Sequence, residues 1–476
     1  GNDAQPISGQ SGTIQIIAGD NISLPGFVGT FSADGWGGDL ELIAGGDITT
    51  ASLNTTGKLG SGNITLTSGG TVSLLPVFFY AGSGTSFSSV VSSDTFGSGR
   101  GGDIQVTAKT IALSSGTQIS ASTHASGNGG NIALTAAETI DLQGIFVNDP
   151  NVRPIVQPGF IANFGVARSP TSNYSGGYIP TGNTQDPAGS FVLPTGVFTQ
   201  ATVDASGRAG NIQIETPQLS ISKGAAIAAT TFGQNIAGNI QIRAEQVALS
   251  EGASILSGVA PGSGGSSGKI AIAANDLTLA SDSYIQTRTL GRGTAGAVEI
   301  TTNRSVQLTG TNTAIRAGSG DGSLPATDIG AAEGIRINTN SLLLSNGASL
   351  NTETFGPNNA GTIQVRADQV ALSQGAGILS GVATGATGSG GKIAIDSSDL
   401  ILASDSSIQT RTLGQGNAGA VEITANRSVQ LTGANTAIRA GSGDGLGQTN
   451  DTGVSGDIQV NTRSLFLSNG ASLNTE

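Results

Sequence analysis

The sequence predicts an all-β protein: a right-handed parallel β-helix, or solenoid, of about 14 coils with three short strands each, plus looped-out inserts. Three observations predict it. Long segments repeat at fixed spacing, apolar residues alternate with polar ones in short runs, and Gly punctuates those runs at regular intervals.

The repetition is the strongest of the three. Gly238–Glu353 aligns with Gly361–Glu476 at an offset of 123 residues without a gap, and 84 of the 116 aligned positions are identical. Self-similarity at a fixed period is the signature of a solenoid or array. A shorter unit lies inside each block, opening with Gly-x-aliphatic-x-aliphatic. It begins at Gly12, Gly38, Gly62, Gly102, Gly130, Gly210, Gly238, Gly268 and Gly296. It returns at Glu333, where Glu replaces the Gly, and at Gly361, Gly391, Gly419 and Gly456, giving 14 openings.

The unit from Gly238 illustrates the three strands. Ile240 and Ile242 alternate with Gln241 and Arg243. Val247 and Leu249 follow, then Ala253 and Ile255 beyond the turn Glu251–Gly252. Period-two runs of this kind read as half-buried strands. No helical periodicity interrupts them. Stacked one coil on the next, the inward residues form like-on-like columns, among them Ile240, Ile270 and Val298, and beside these Ile242, Ile272 and Ile300. Each buried aliphatic contributes about 1.5–3 kcal/mol. That offsets the entropy of ordering a coil only together with the backbone ladder, so no coil is expected to be stable alone. The right-handed sense follows from the usual chirality of parallel crossovers.

The unit spacing stretches twice, and there the composition changes. Residues 1–143 read as coils with a short aromatic insert near 75–99. Residues 144–200 read as a Pro- and aromatic-rich insert. Residues 201–476 read as coils that include the tandem blocks 238–360 and 361–476. The two inserts hold 12 of the 18 Phe and Tyr residues. Insertions in solenoids loop out on one face, often the binding face. Phe78, Phe79, Tyr80, Phe160, Phe164, Tyr174 and Tyr178 are therefore the candidate partner-contact residues, suited to a glycan or a cell-surface protein. The plainer reading of these aromatics is a satellite core on the flank of the helix.

Composition narrows the function classes. The net charge is −12 with no basic patch, so no nucleic-acid partner is expected. No apolar run is long enough to form a transmembrane helix. Cys is absent and His124 is the only histidine, which leaves no zinc set and no catalytic triad. His124 is expected on an exposed turn. Asp103, Asp204 and Asp276 could serve a polysaccharide hydrolase only if they met, and paired carboxylates do not recur on neighbouring coils. No enzyme activity, cofactor or metal is expected.

AGSGDG occurs at Ala317–Gly322 and Ala440–Gly445, too rarely for a calcium-binding β-roll, and reads as a Gly-rich turn. Thr287 and Thr289 share the parity of Ile285, so they close the apolar core and do not form an outer ice-binding ladder. Arg288, Arg292, Arg304 and Arg316 are expected as solvated surface.

The units GNIQIRAEQVALSEGASI and GTIQVRADQVALSQGAGI, with the phrases SNGASLNTETFGPNNAGTIQV and IQTRTLGQGNAGAVEI, resemble the repeats of filamentous-haemagglutinin-like exoproteins of two-partner secretion. They resemble especially the long β-strand-repeat versions common in cyanobacteria. The resemblance covers nearly all of Gly12–Glu476 apart from the aromatic insert. It implies export through an outer-membrane β-barrel partner, a secreted or cell-surface location of the Gram-negative type, and a role in adhesion, biofilm or extracellular fibres. The family's N-terminal secretion domain is not found. The chain is therefore expected to be the rod part of a longer molecule, or a subunit that stacks with copies of itself. Its expected role is a structural fibre or matrix protein, with an adhesin as the alternative and a polysaccharide-active enzyme as a distant third.

Overall fold

The computed structural model describes residues 9–76, 79–81, 85–87, 90–147, 192–203, 205–320, 330–414, 416–442 and 453–475. Every regular element among them is a β-strand. The chain divides into two compact units, Gly1–Ala244 and Glu245–Glu476. Each is a parallel β-helix.

In the first unit the ladder is built coil on coil. Leu40–Ala44 pairs in parallel with Ile14–Ala18 on one side and Ile64–Ser68 on the other. Ile104–Ser114 then pairs with Ile64–Ser68 and Ile132–Gln143, which in turn pairs with Ile212–Ser222. Identical chemistry falls into register: Leu40, Ile64, Ile104, Ile132 and Ile212 form one column and are all buried. Ile240 and Ile242, farther along this unit, have no exposed side-chain surface.

The second unit repeats the plan. Ile270 pairs with Val298 and Ile272 with Ile300, and all four are buried. The column continues through Ile335, Ile363, Ile393 and Val421. On another strand set Ile255, Ile285, Ile315, Leu350, Ile378, Ile408 and Ile438 stack in sequence. The parity of the runs thus dictates which side chains face inward, and period-two strands supply it.

The opening glycine has a steric cause. A Cβ at Gly130 would lie 1.9 Å from the carbonyl oxygen of Gly102, and one at Gly210 would lie 1.7 Å from that of Gly130. Coils approach so closely at this position that only hydrogen fits there. The same glycines accept hydrogen bonds from the far end of the core. Thr55 donates to Gly62 O at 2.7 Å, Thr199 to Gly210 O at 2.7 Å, Thr287 to Gly296 O at 2.5 Å and Thr352 to Gly361 O at 2.7 Å. Thr287 and Thr289 are fully buried, as their parity requires.

Three features depart from the sequence reading. The first two short runs of most coils are one bent strand, such as Ile104–Ser114 or Ile270–Ala280, whose corner is a register shift with no break in the ladder. Val90–Ser92 and Gly196–Ala201 pair within the helix, so the coils resume before Gly99 and Gln200, where the sequence places the insert ends. Ala317–Ser319 and Ala440–Ser442 are strand ends and not turns, because each continues a paired column.

Candidate partner-contact surfaces and the polar clusters of the outer face

Both inserts leave the first unit at the same corner, ahead of the third strand of their coils. The first starts with an antiparallel stem in which Phe79–Ala81 pairs with Thr85–Phe87. The second has the stem Ile145–Val147 against Val192–Pro194. The coil with Gln118–Ser120 lies between their coils, since it pairs with both Val90–Ser92 and Gly196–Ala201. Gln118 is buried there and donates Nε2–H to the Pro194 carbonyl at 3.0 Å. Of the candidate contact residues, Phe79 and Tyr80 lie on the first stem. Phe78, Phe160, Phe164, Tyr174 and Tyr178 lie outside the described residues, as does Asp204.

His124 is not on an open turn: its side chain is 17% exposed. Thr95 and Thr123 bridge in parallel, which sets Phe96 beside His124 one coil away. The rings stack with centroids 4.2 Å apart and planes 5° apart. His124 Nε2 lies 3.5 Å from Oδ2 of Asp94, a fully buried carboxylate. Asp94 Oδ1 also accepts from Ser120 Oγ and from the Ser122 backbone N–H, each at 2.7 Å. A nucleophilic triad needs histidine between serine and aspartate. Here aspartate stands between serine and histidine, so no serine is activated. The cluster ties together two adjacent coils beyond the ends of their third strands.

Asp103 and Asp276 belong to separate units. Asp103 pairs with Arg100 at 2.5 Å and links Asn63 to Asn131. Asp276 accepts from Arg304 and from Ser305. The Arg304 guanidinium holds its carboxyl below the ordinary value, against a smaller upward push from burial.

The sequence reading missed a polar group on the second unit. By parity Tyr284, Gln286 and Arg288 point away from the core column of Ile285, yet Tyr284 and Gln286 are buried. Burial pushes the Tyr284 hydroxyl up to about 12. Arg288 and Arg316 are half-buried, not solvated surface. Desolvation pulls the Arg316 guanidinium below its usual value. Burial likewise raises the Glu353 carboxyl, partly countered by Asn351 and by the charges of Arg288 and Arg411. Arg288 donates from Nε, at 2.9 Å, and from Nη2 to the carbonyl of Gly320. The signal was present, since Gln-x-Arg and Ile-Arg recur at a spacing of 123 residues. Strand parity alone could not report that an outward side chain is buried.

Among the described residues no group of three or more His, Cys, Asp or Glu side chains is placed to hold a metal ion, and no helix is long and apolar enough to cross a membrane. Comparison with protein-family models, with curated proteins and with solved structures gave no match.

Proposed function

We propose that this chain is a repetitive structural stretch of a secreted protein that builds an extracellular fibre or cell-surface matrix. One observation carries the reading: the two 123-residue blocks present the same outer contacts twice. Arg304 holds Asp276 as Arg427 holds Asp399. Lys269 pairs with Glu299 as Lys392 pairs with Glu422. Asn312 donates to Asp282 at 3.1 Å, and Asn435 to Asp405 at the same distance. A surface that recurs along the helix suits lateral or end-to-end assembly with further copies of itself. The likeness of the repeats to filamentous-haemagglutinin-like exoproteins adds export through an outer-membrane secretion partner. Electron microscopy of the native material tests the proposal. Filaments or stacked rods are expected, and a compact monomer at every concentration overturns it.

An adhesin is the second reading, favoured by two aromatic-bearing inserts that rise from one corner of the first unit. Replacing residues 146–193 with a short Gly-Ser link should abolish attachment to cells or glycans and leave the β-helix folded. Unchanged attachment rejects it.

A further inference from the structure

We infer that the second unit pairs side by side with a second copy of the chain through the outer face of the second run of its coils, an inference that rests on the fibre reading and names the face it uses. The central outward column of that face is Thr278, Gln307, Leu343, Ala371, Ile401 and Gln430. No charge stands in it. Leu343 is 38% exposed and Ile401 42%, with only the methyl group of Ala371 between them. Gln430 pairs in turn with Phe466, which holds the place of Leu343 one block later. A large apolar side chain thus recurs there at the 123-residue spacing.

The other two faces are built differently. Outward positions of the first run carry Glu299, Arg336, Arg366 and Asp396, and those of the third strand carry Arg288, Arg316 and Arg411. The second-run face keeps its charges at the rim, where Asp276 is closed on Arg304 and Asp399 on Arg427. Its flanking polar groups find partners within the face. Ser305 and Ser428 donate to those aspartates at 2.9 Å, and Ser345 donates to Thr309 at 3.1 Å. Gln307 and Gln430 donate to Ser305 and Ser428 at 3.3 and 3.4 Å. Polar groups that already have partners are the cheapest to take out of water. An uncharged apolar centre inside a polar rim is the anatomy of a protein interface.

A second copy is the occupant that this face fits. The column crosses seven coils, about 34 Å at about 4.8 Å per coil, and a run such as Ser341–Ser345 spans about 16 Å. Pairing therefore buries roughly 540 Å² on each copy and roughly 1,100 Å² in all, above the roughly 1,000 Å² that a specific interface needs. Two-fold pairing sets the same patch against itself. The centre of this face then brings no like charges together. Both copies carry the same coil spacing, so side-chain ridges of one fall into grooves of the other along the whole column, as in sheets packed about 10 Å apart.

Sedimentation of the full chain, with electron microscopy of its filaments, tests the face. The native chain should pair, and its filaments should be at least two rods wide. L343K/I401K places two charges on the face and should weaken pairing at least about tenfold. A271K/A394K places the same charges on the first-run face and should pair like the native chain. Thermal melting confirms that each variant is folded. Equal pairing by folded L343K/I401K overturns the face. Filaments one rod wide overturn the pairing and leave the fibre reading standing, whereas single rods without filaments overturn both. Pelleting of single rods with phosphatidylcholine vesicles, lost in L343K/I401K, assigns the face to a lipid surface and overturns the copy as its occupant.

Discussion

The first and second units bury the same kind of aliphatic column but tie their coils together differently on the outside. In the first, the residue after the opening glycine is Asp39, Asn63, Asp103, Asn131, Asn211 and Asn239 in turn. Each side chain accepts from the backbone N–H of the next, at 2.7–3.0 Å. In the second unit the same position holds Lys269, Ala297, Thr362 and Lys392, and the amide ladder gives way to ion pairs such as Lys392–Glu422 at 2.5 Å. The core columns continue through both kinds of edge. The difference teaches that the inner parity defines the fold, and that the outer residues are free to diverge into a ladder, a charge pattern or a site for inserts.

The sharpest way to break this division is to put a charge on each side of it. Ile272→Asp, in a buried column, should cost several kcal/mol, because an unpaired carboxylate is forced into the core. Gln241→Asp, exposed on its strand, should be tolerated. Denaturant unfolding checks both, and equal losses would erase the inside–outside distinction.

Tyr284 sharpens it, because this side chain faces outward and is nevertheless buried. Burial pushes its hydroxyl up to about 12 in the fold, above the ordinary value of 10.0. A raised acid value favours the neutral folded form. Its contribution is therefore complete below pH 10 and is lost as the pH climbs through 12. Relative to Tyr284→Phe, the native chain should lose on the order of 2 kcal/mol across that window. Ultraviolet titration of tyrosinate, with melting at each pH, reads the effect. Parallel pH profiles for the two proteins would contradict it.

The outer edges should give smaller effects. Asn131→Ala removes the acceptor for the Asn211 backbone N–H and should cost about 1 kcal/mol. Lys392→Ala breaks an ion pair whose members are 44% and 45% exposed, and should cost a few tenths of a kcal/mol or less. Salt should weaken only the second of these contributions. If both variants melt alike in low and high salt, the two edges are not different in kind.

Much of the fold was legible because parity and period are local properties. Ile270 over Val298, and Thr287 closing the core, follow from counting residues. The Asn ladder was also written in the chain, as an Asn or Asp after each early opening glycine, but its use depends on hydrogen bonds between coils. The insert limits were obscured because Phe96 and Phe198 sit among aromatic stretches, although Phe198 belongs to a paired strand. The polar clusters were the least legible. His124 meets Asp94, and Gln409 meets Arg439, only once coils are stacked, across 30 residues in each case.

The central claim is that successive coils lie in register with one residue of each per column. Ala271, Glu299, Arg336, Gln364, Ala394, Glu422 and Gln459 occupy one outward column of the second unit. The chain has no Cys, so spin labels can be placed there in pairs without background. Pulsed dipolar spectroscopy from position 271 to positions 394, 422 and 459 should give mean separations near 19, 24 and 29 Å, growing by about 4.8 Å per coil. Separations that fail to increase in order, or that grow by the roughly 10 Å of stacked sheets, would contradict the account.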